Sequence, residues 1–353
     1  MKKMKWLIPV FLILILMSAP LYAGDLQDAK DAVHRQDYKT AYKLLLPLAE
    51  QGDVQAQNNL GVMYDQGLGV VKNYQEAVKW YRLAAEQGDA IAQSSLGIMY
   101  YLGQGIQQDY QKAVKWYQHS AEQGKAQAQY NLGWMYFQGL GIVKNYQEAV
   151  KWYRLAAEQG DAIAQSSLGG MYDEGMGVPQ DYQEAVKWYR LAAEKGLHVG
   201  QHNLGMMYYM GDGIDQNYKE ALKWLDLAAQ QGDAQAQFNL GLMHDQGLGV
   251  AQNYQEAAKQ YRLAAEQGVP QAQFNLGLMY YSGQGIPQHY SSAHMWLSIA
   301  GSNGYKDAAT KRTSLEKKMS PSQIVKAQEM ARSWKPKKSK SIVEEFKEKV
   351  WLK

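Results

Sequence analysis

The sequence predicts an all-α protein, a solenoid of helix–turn–helix repeats. Three observations carry this. The pair Leu-Gly recurs every 36 residues, at Leu60-Gly61, Leu96-Gly97, Leu132-Gly133, Leu168-Gly169, Leu204-Gly205, Leu240-Gly241 and Leu276-Gly277. Each period holds apolar residues at i, i+4 and i+7, the spacing of one helical face. Gly-x-Gly pairs and helix-capping residues punctuate those stretches at fixed offsets. A unit of this size buries its apolar face only against its neighbours, so an elongated binding scaffold is expected and a pocket enzyme is not.

The elements follow in chain order. Residues 1–23 begin with Lys2, Lys3 and Lys5, run apolar from Trp6 to Met17 and end in the small residue Ala23. That is the layout of a secretory signal peptide cut after Ala23, which predicts export, to the periplasm or outside the cell. Leu21 is a poor residue three places before the cut, so an uncleaved anchor stays open. The three lysines supply the whole formal charge of +3, and the remainder is neutral. A neutral chain argues against a nucleic-acid partner, which needs a concentrated basic surface. Cysteine is absent, which excludes disulfides, thiolate metal sites and a lipid-modified N-terminal cysteine.

Residues 24–52 read as N-terminal capping helices, because Asp25 to Gln36 is polar and lacks the Leu-Gly signature. Residues 53–306 form the repeats. In the unit from Ala56 to Gly88, one helix carries Ala56, Leu60, Met63 and Tyr64 on a single face and stops at Gly67-Leu68-Gly69. Asn73 caps a second helix, and Glu76 three residues on completes a capping-box pattern. Tyr74, Ala77, Trp80, Tyr81 and Ala84 form its apolar side, and Asp89 after Gly88 caps the next first helix. Small residues at Gly61, Ala77 and Ala84 predict close approach of neighbouring backbones. Tryptophan recurs at Trp80, Trp116, Trp152, Trp188, Trp224 and Trp296, as packing between repeats. Residues 307–334 read as C-terminal capping helices, with Ser320-Pro321 opening the last. Residues 335–353 are a basic tail, expected to be solvated. Membrane contact would run only through this tail, where Ile342 to Trp351 is amphipathic, or through an uncleaved signal segment.

The pattern Ala56-x(3)-Leu60-Gly61-x-Met63-Tyr64-x(2)-Gly67-x-Gly69-Val70-x(3)-Tyr74-x(2)-Ala77-x(2)-Trp80-Tyr81-x(2)-Ala84-Ala85-x(2)-Gly88 resembles the Sel1-like repeat, a relative of the tetratricopeptide repeat. The resemblance covers residues 25 to 334. It implies a right-handed α/α superhelix whose first helices line the concave side. It also implies an interaction adaptor with a protein or peptide partner.

Comparing copies separates constant from variable positions. On a wheel of about 100° per residue, positions 55, 58, 62 and 65 fall opposite the constant face. The 58 position runs Asn58, Ser94, Tyr130, Ser166, His202, Phe238, Phe274; the 65 position runs Asp65, Tyr101, Phe137, Asp173, Tyr209, Asp245, Tyr281. Tyr130, Trp134 and Phe137, at i, i+4 and i+7 of one helix, are the sharpest partner-binding candidates. Tyr101, His202, Tyr209, Phe238, Phe274 and Tyr281 extend the stripe. The alternative is that these rings close the inner wall, a role that suits Phe238, Phe274 and Tyr281 best. Residues Lys72–Gly97 recur unchanged at Lys144–Gly169, which suits a scaffold and not a unique catalytic centre.

No catalytic set emerges. His198 and His202 lie at i, i+4 and have a metal-chelating spacing, but no third ligand accompanies them, and two exposed histidines are expected. Ser314-Leu315-Glu316-Lys317 matches S-x-x-K without a Lys-Thr-Gly. The sequence therefore reads as a non-enzymatic adaptor with no cofactor. An immunity protein against a delivered toxin, a secreted virulence adaptor and a β-lactam or cell-wall hydrolase remain as alternatives drawn from the resemblance.

Overall fold

A computed structural model describes residues 26–337. The expected signal segment and residues 338–353 of the tail lie outside the described residues. Among the described residues there are helices and no strand, in two compact units. The first unit holds α1 (26–34), α2 (Tyr38–Glu50), α3 (Val54–Gln66), α4 (Tyr74–Glu86), α5 (Ala90–Leu102), α6 (Tyr110–Glu122), α7 (Ala126–Gln138) and α8 (Tyr146–Glu158). The division falls within α9 (Ala162–Glu174). The second unit continues with α10 (Tyr182–Glu194), α11 (His198–Met210), α12 (Tyr218–Gln230), α13 (Ala234–Gln246), α14 (Tyr254–Glu266), α15 (Pro270–Ser282), α16 (Tyr290–Ser302), α17 (Lys306–Glu316) and α18 (Pro321–Ser333). Odd-numbered helices from α3 to α15 are the first helices of the repeats.

Local chemistry fixes the helix ends. Asp53 and Asp89 accept the backbone N–H of the third helical residue at 2.7 Å, satisfying a donor that a helix start leaves orphaned. Gly67 ends α3 in the left-handed region at φ 75°. Gly69 has φ 70°, and a Cβ there would sit 2.4 Å from the Tyr38 carbonyl oxygen of the preceding repeat. Only glycine fits that contact.

The capping box expected at Asn73 is not closed. Asn73 Oδ1 accepts from the N–H groups of Gln75 and Glu76, but its own N–H donates to the Tyr64 carbonyl at 2.8 Å. With that donor taken, Glu76 turns to Lys79 at 3.4 Å. The same staple recurs from Asp109 to Tyr100 and from Asn217 to Tyr208. It joins each second helix to its own first helix. Ser320 and Gln323 at α18 do form the reciprocal box.

Gly61 serves a further contact beside the one expected. A Cβ on it would lie 2.4 Å from the Tyr81 ring, so its bare backbone receives an aromatic ring, while at the equivalent Gly133 the Ala149 carbonyl also comes within 3.2 Å of that place. Tyr81, Tyr117, Tyr153, Tyr189 and Tyr261 occupy this place from repeat to repeat, and burial raises the pKa of each phenol. Trp80 is 5 % exposed and joins Leu45, Leu48 and Met63 in one core cluster, as packing between repeats requires. Its indole N–H is buried without a hydrogen-bond partner.

A glutamine ladder crosses the repeats, and the sequence reading did not anticipate it. Gln57 donates to the Ala49 carbonyl at 3.0 Å and accepts from Gln87 at 2.8 Å; Gln93 and Gln123, and Gln201 and Gln231, repeat this. The ladder gives the Ala49, Ala85 and Ala193 carbonyls a second donor beside the N–H of Gly52, Gly88 and Gly196.

Both ends are closed. Ala29 and Ala32 of α1 are fully buried against Ala41 and Leu45. At the other end, Ala308 and Leu315 of α17 pack with Phe274 and Leu297, while Trp334 after α18 meets Trp296 edge-on at 5.8 Å. No described helix is long and apolar enough to cross a membrane.

Candidate functional site

In the first unit, α7 carries Tyr130, Trp134 and Phe137 in one row, each half-buried. Tyr130 stacks on Tyr153 at 5.6 Å, and Phe137 leans on Tyr146 at 5.4 Å, both on α8. Trp134 stacks on Phe137 of its own helix, at 6.0 Å. Tyr101 of α5 meets Tyr110 of α6 at 5.5 Å in the same manner as Phe137. The row is therefore an aromatic ridge whose flanks are held by the second helix. Its neighbour Ser94 is 8 % exposed, so it lies in the wall and not in open space beside the ridge.

The second unit treats the remaining candidates differently. Tyr209 meets Tyr218 at 5.5 Å, and Phe238 meets Tyr261 at 6.0 Å. Phe274 is 8 % exposed and stacked on Tyr305 at 4.5 Å. Tyr281 stacks on Tyr290 and accepts a hydrogen bond from Lys318 at 2.6 Å, a contact that raises the lysine pKa. Phe274 and Tyr281 thus receive the C-terminal cap. His202 lies between Asn203 at 3.2 Å and Asn239 at 3.1 Å.

Two expectations need correction. The face at 58, 62 and 65 is not broadly free: Asp65 is 5 % exposed and Phe274 8 %. A helix flanked by its own partner and by neighbouring pairs keeps a narrower open arc than a wheel suggests. The histidines, too, are not exposed. His198 has a side chain 16 % exposed and contacts Asp233 at 2.8 Å. Burial works against the charged Asp233 carboxylate, but bonds from His198 and from the Ala236 N–H outweigh it and lower its pKa. Among the described residues, no three His, Asp or Glu side chains are grouped as metal ligands.

Charge distribution supplies a signal that sequence reasoning passed over. The first helices α3, α5, α7, α9, α11, α13 and α15 contain no lysine or arginine; their charged residues are Asp65, Asp173, Glu174 and Asp245. Asp173 accepts from the Tyr189 hydroxyl at 3.1 Å and Asp245 from Tyr261 at 3.3 Å. Burial raises the Asp173 pKa. Cations sit instead on second helices, where Lys79, Lys151, Lys223 and Lys259 each pair with a glutamate three residues earlier. Within each unit the first helices are thus aromatic, neutral to acidic, and free of lysine and arginine.

The hydrolase candidates fare as follows. Ser314 is exposed on α17, and Lys317 is exposed at its end. A hydrogen-bonded row links Ser298 to His294 at 3.3 Å and His294 to Glu316 at 2.8 Å. Its imidazole is 1 % exposed with both nitrogens engaged, and the row fastens α17 to α16.

Comparisons with known proteins agree with this architecture. The Sel1 repeat model matches eight consecutive segments, 32–53, 54–89, 90–125, 126–161, 162–197, 198–233, 234–269 and 270–305. A Sel1 repeat protein from Oxalobacter formigenes is 38 % identical, with a TM-score of 0.63, over 68 % of this chain and 96 % of that one. The protective antigen c5321 of uropathogenic Escherichia coli, which displays an SLR fold, is 31 % identical over 95 % of this chain and 86 % of its own, with a TM-score of 0.47. The immunity protein PA5088 from Pseudomonas aeruginosa is 23 % identical over 63 % of this chain and 82 % of its own, with a TM-score of 0.40. No curated protein matches the chain.

Proposed function

The chain belongs to the Sel1 repeat family, and on that premise we propose that it is a non-catalytic scaffold holding a protein or peptide on its first helices. The fold is one typical of protein–protein interaction scaffolds. The observation that carries the proposal is the aromatic stripe without lysine or arginine, laid on a frame whose cations are confined to second helices and turns. Such a stripe favours a segment that combines apolar or aromatic anchors with lysine or arginine, since ring faces and buried carboxylates both attract cations. Export places the work in the periplasm or outside the cell, which the basic and apolar layout of Lys2 to Ala23 supports.

Selection from a random peptide library displayed on phage tests the proposal, with wild-type protein and Trp134→Ala as parallel baits. Trp134 is the informative ring because its stacking partner lies on its own helix. The expected result is a consensus rich in aromatic and basic residues, lost on the variant. An acidic consensus, or one kept by Trp134→Ala, would move the site off this stripe. Sequencing the N-terminus of protein recovered from cell fractions checks the cut after Ala23.

A further inference from the structure

The neutrality of residues 24–353 conceals a step in charge. In the second unit, residues 165–304 hold seven lysines and arginines against thirteen acids, whereas residues 305–337 hold nine against three. Within the first of these ranges, from Gln267 to Gly304, no Asp, Glu, Lys or Arg occurs. The helices that close the array therefore form a basic end on an acidic body.

Three of the nine cations have partners: Lys318 bonds Tyr281, Arg312 meets Glu316 at 3.5 Å, and Lys337 meets Glu266 at 2.6 Å. The other six, Lys306, Lys311, Lys317, Lys326, Arg332 and Lys335, are exposed and form no ion pair among the described residues. In the repeats, by comparison, Lys79, Lys112, Lys151, Lys187, Lys223 and Lys259 each pair with an acid three residues earlier. Lys306 and Lys317 share the outer side of α17, opposite buried Ala308 and Leu315. On α18, Val325 is 54 % exposed beside Lys326, on the side away from buried Ala327.

We infer that this basic end docks on a membrane surface of anionic phospholipid. Exposed cations beside an anionic leaflet each strengthen partition roughly fivefold, and a basic patch holds firmly when an apolar segment adjoins it. Here the adjoining segment is the chain itself. Lys337 is fixed to Glu266 through its backbone N–H as well as its side chain. Sixteen residues follow, including Lys338, Lys340, Phe346, Val350, Trp351 and Leu352. A nucleic-acid occupant fits less well, because among the described residues the cap turns its rings inward, Tyr305 on Phe274 and Trp334 on Trp296. A second copy fits less well too, since residues 26–52 hold four cations and four acids and present no complementary charge.

Co-sedimentation of the full chain with vesicles tests this. Vesicles of phosphatidylcholine alone are compared with vesicles containing phosphatidylglycerol. The expected result is partition at least roughly tenfold stronger onto the anionic vesicles, abolished near ~1 M salt, where charges are screened within about 3 Å. A variant with Lys306, Lys311, Lys317, Lys326, Arg332 and Lys335 all changed to Gln should lose that preference and keep its helical spectrum. Deletion of residues 338–353 should weaken binding and leave the preference for anionic lipid. Equal partition onto both vesicle types would overturn the inference, as would a preference that survives the six substitutions or vanishes only with the tail. Tighter capture of duplex DNA than of anionic vesicles would also overturn it. Should the six-fold variant misfold, the double variant Lys306→Gln and Lys317→Gln, confined to the exposed side of α17, decides: the anionic preference is expected to fall, and an unchanged preference overturns the inference.

Discussion

At the scale of single residues, the fold is governed by places where a side chain has no room. Gly105 has φ 69°, and a Cβ on it would lie 2.3 Å from backbone atoms of Tyr74 in the preceding repeat. Gly105→Ala is expected to cost about 2–4 kcal/mol, from strain and displaced backbone together, measured by urea unfolding. The sequence displays the Gly-x-Gly spacing, yet it cannot distinguish a glycine needed for φ from one needed for space. Gly61 shows this: the period reveals it, but its Tyr81 ring becomes visible only in three dimensions. Asp233 is similar, legible as a cap but not as the partner of His198. Because its pKa is lowered on folding, the stability it contributes is present above the ordinary carboxyl value of 3.8 and fades as pH falls below it. Asp233→Ala is expected to lose about 1–2 kcal/mol at neutral pH, with the gap to wild type narrowing under strong acid. Thermal melts across pH measure it.

At the scale of the element, α7 illustrates how far a helical wheel reaches. Periodicity placed Tyr130, Trp134 and Phe137 on one row, and the structure keeps them there. The wheel cannot show how much of that row the second helix covers, because coverage depends on ring pairing across α7 and α8. The pairings make a graded prediction. Phe137 leans on a ring of α8 and Trp134 stacks on its own helix, so Phe137→Ala is expected to destabilise by about 2–3 kcal/mol and Trp134→Ala by about 1 kcal/mol. Paired denaturant titrations give the ranking, and the reverse order would show that Trp134 is the structural ring. The capping box failed for a comparable reason. Its Asn73 donor is claimed by Tyr64, a residue of another element, and no local pattern reports that.

At the scale of the whole molecule, stability is the sum of similar neighbour contacts. Removal of residues 90–125, one complete period, is expected to leave a folded helical protein with a lower melting temperature, because the junction is of the same kind as those deleted. Removal of half a period should unfold it; circular dichroism separates the two outcomes. The five buried tyrosines add a common alkaline limit. Their raised pKa values mean that stability is fully present below the ordinary phenol value of 10.0 and declines as pH rises beyond it. A protein equally stable at pH values well above 10 would contradict their burial. The fold was plain in the sequence, whereas a neutral total charge masked where the charges lie, and the missing Leu-Gly pair hid the first repeat at 32–53. Their placement has a practical consequence. Trypsin cuts only after lysine and arginine, so each first helix leaves a digest intact within one peptide: 44–72 carries α3, 126–144 carries α7, 196–219 carries α11 and 263–306 carries α15. Any molecule crosslinked to that face is thereby assigned to its repeat by the mass of a single fragment.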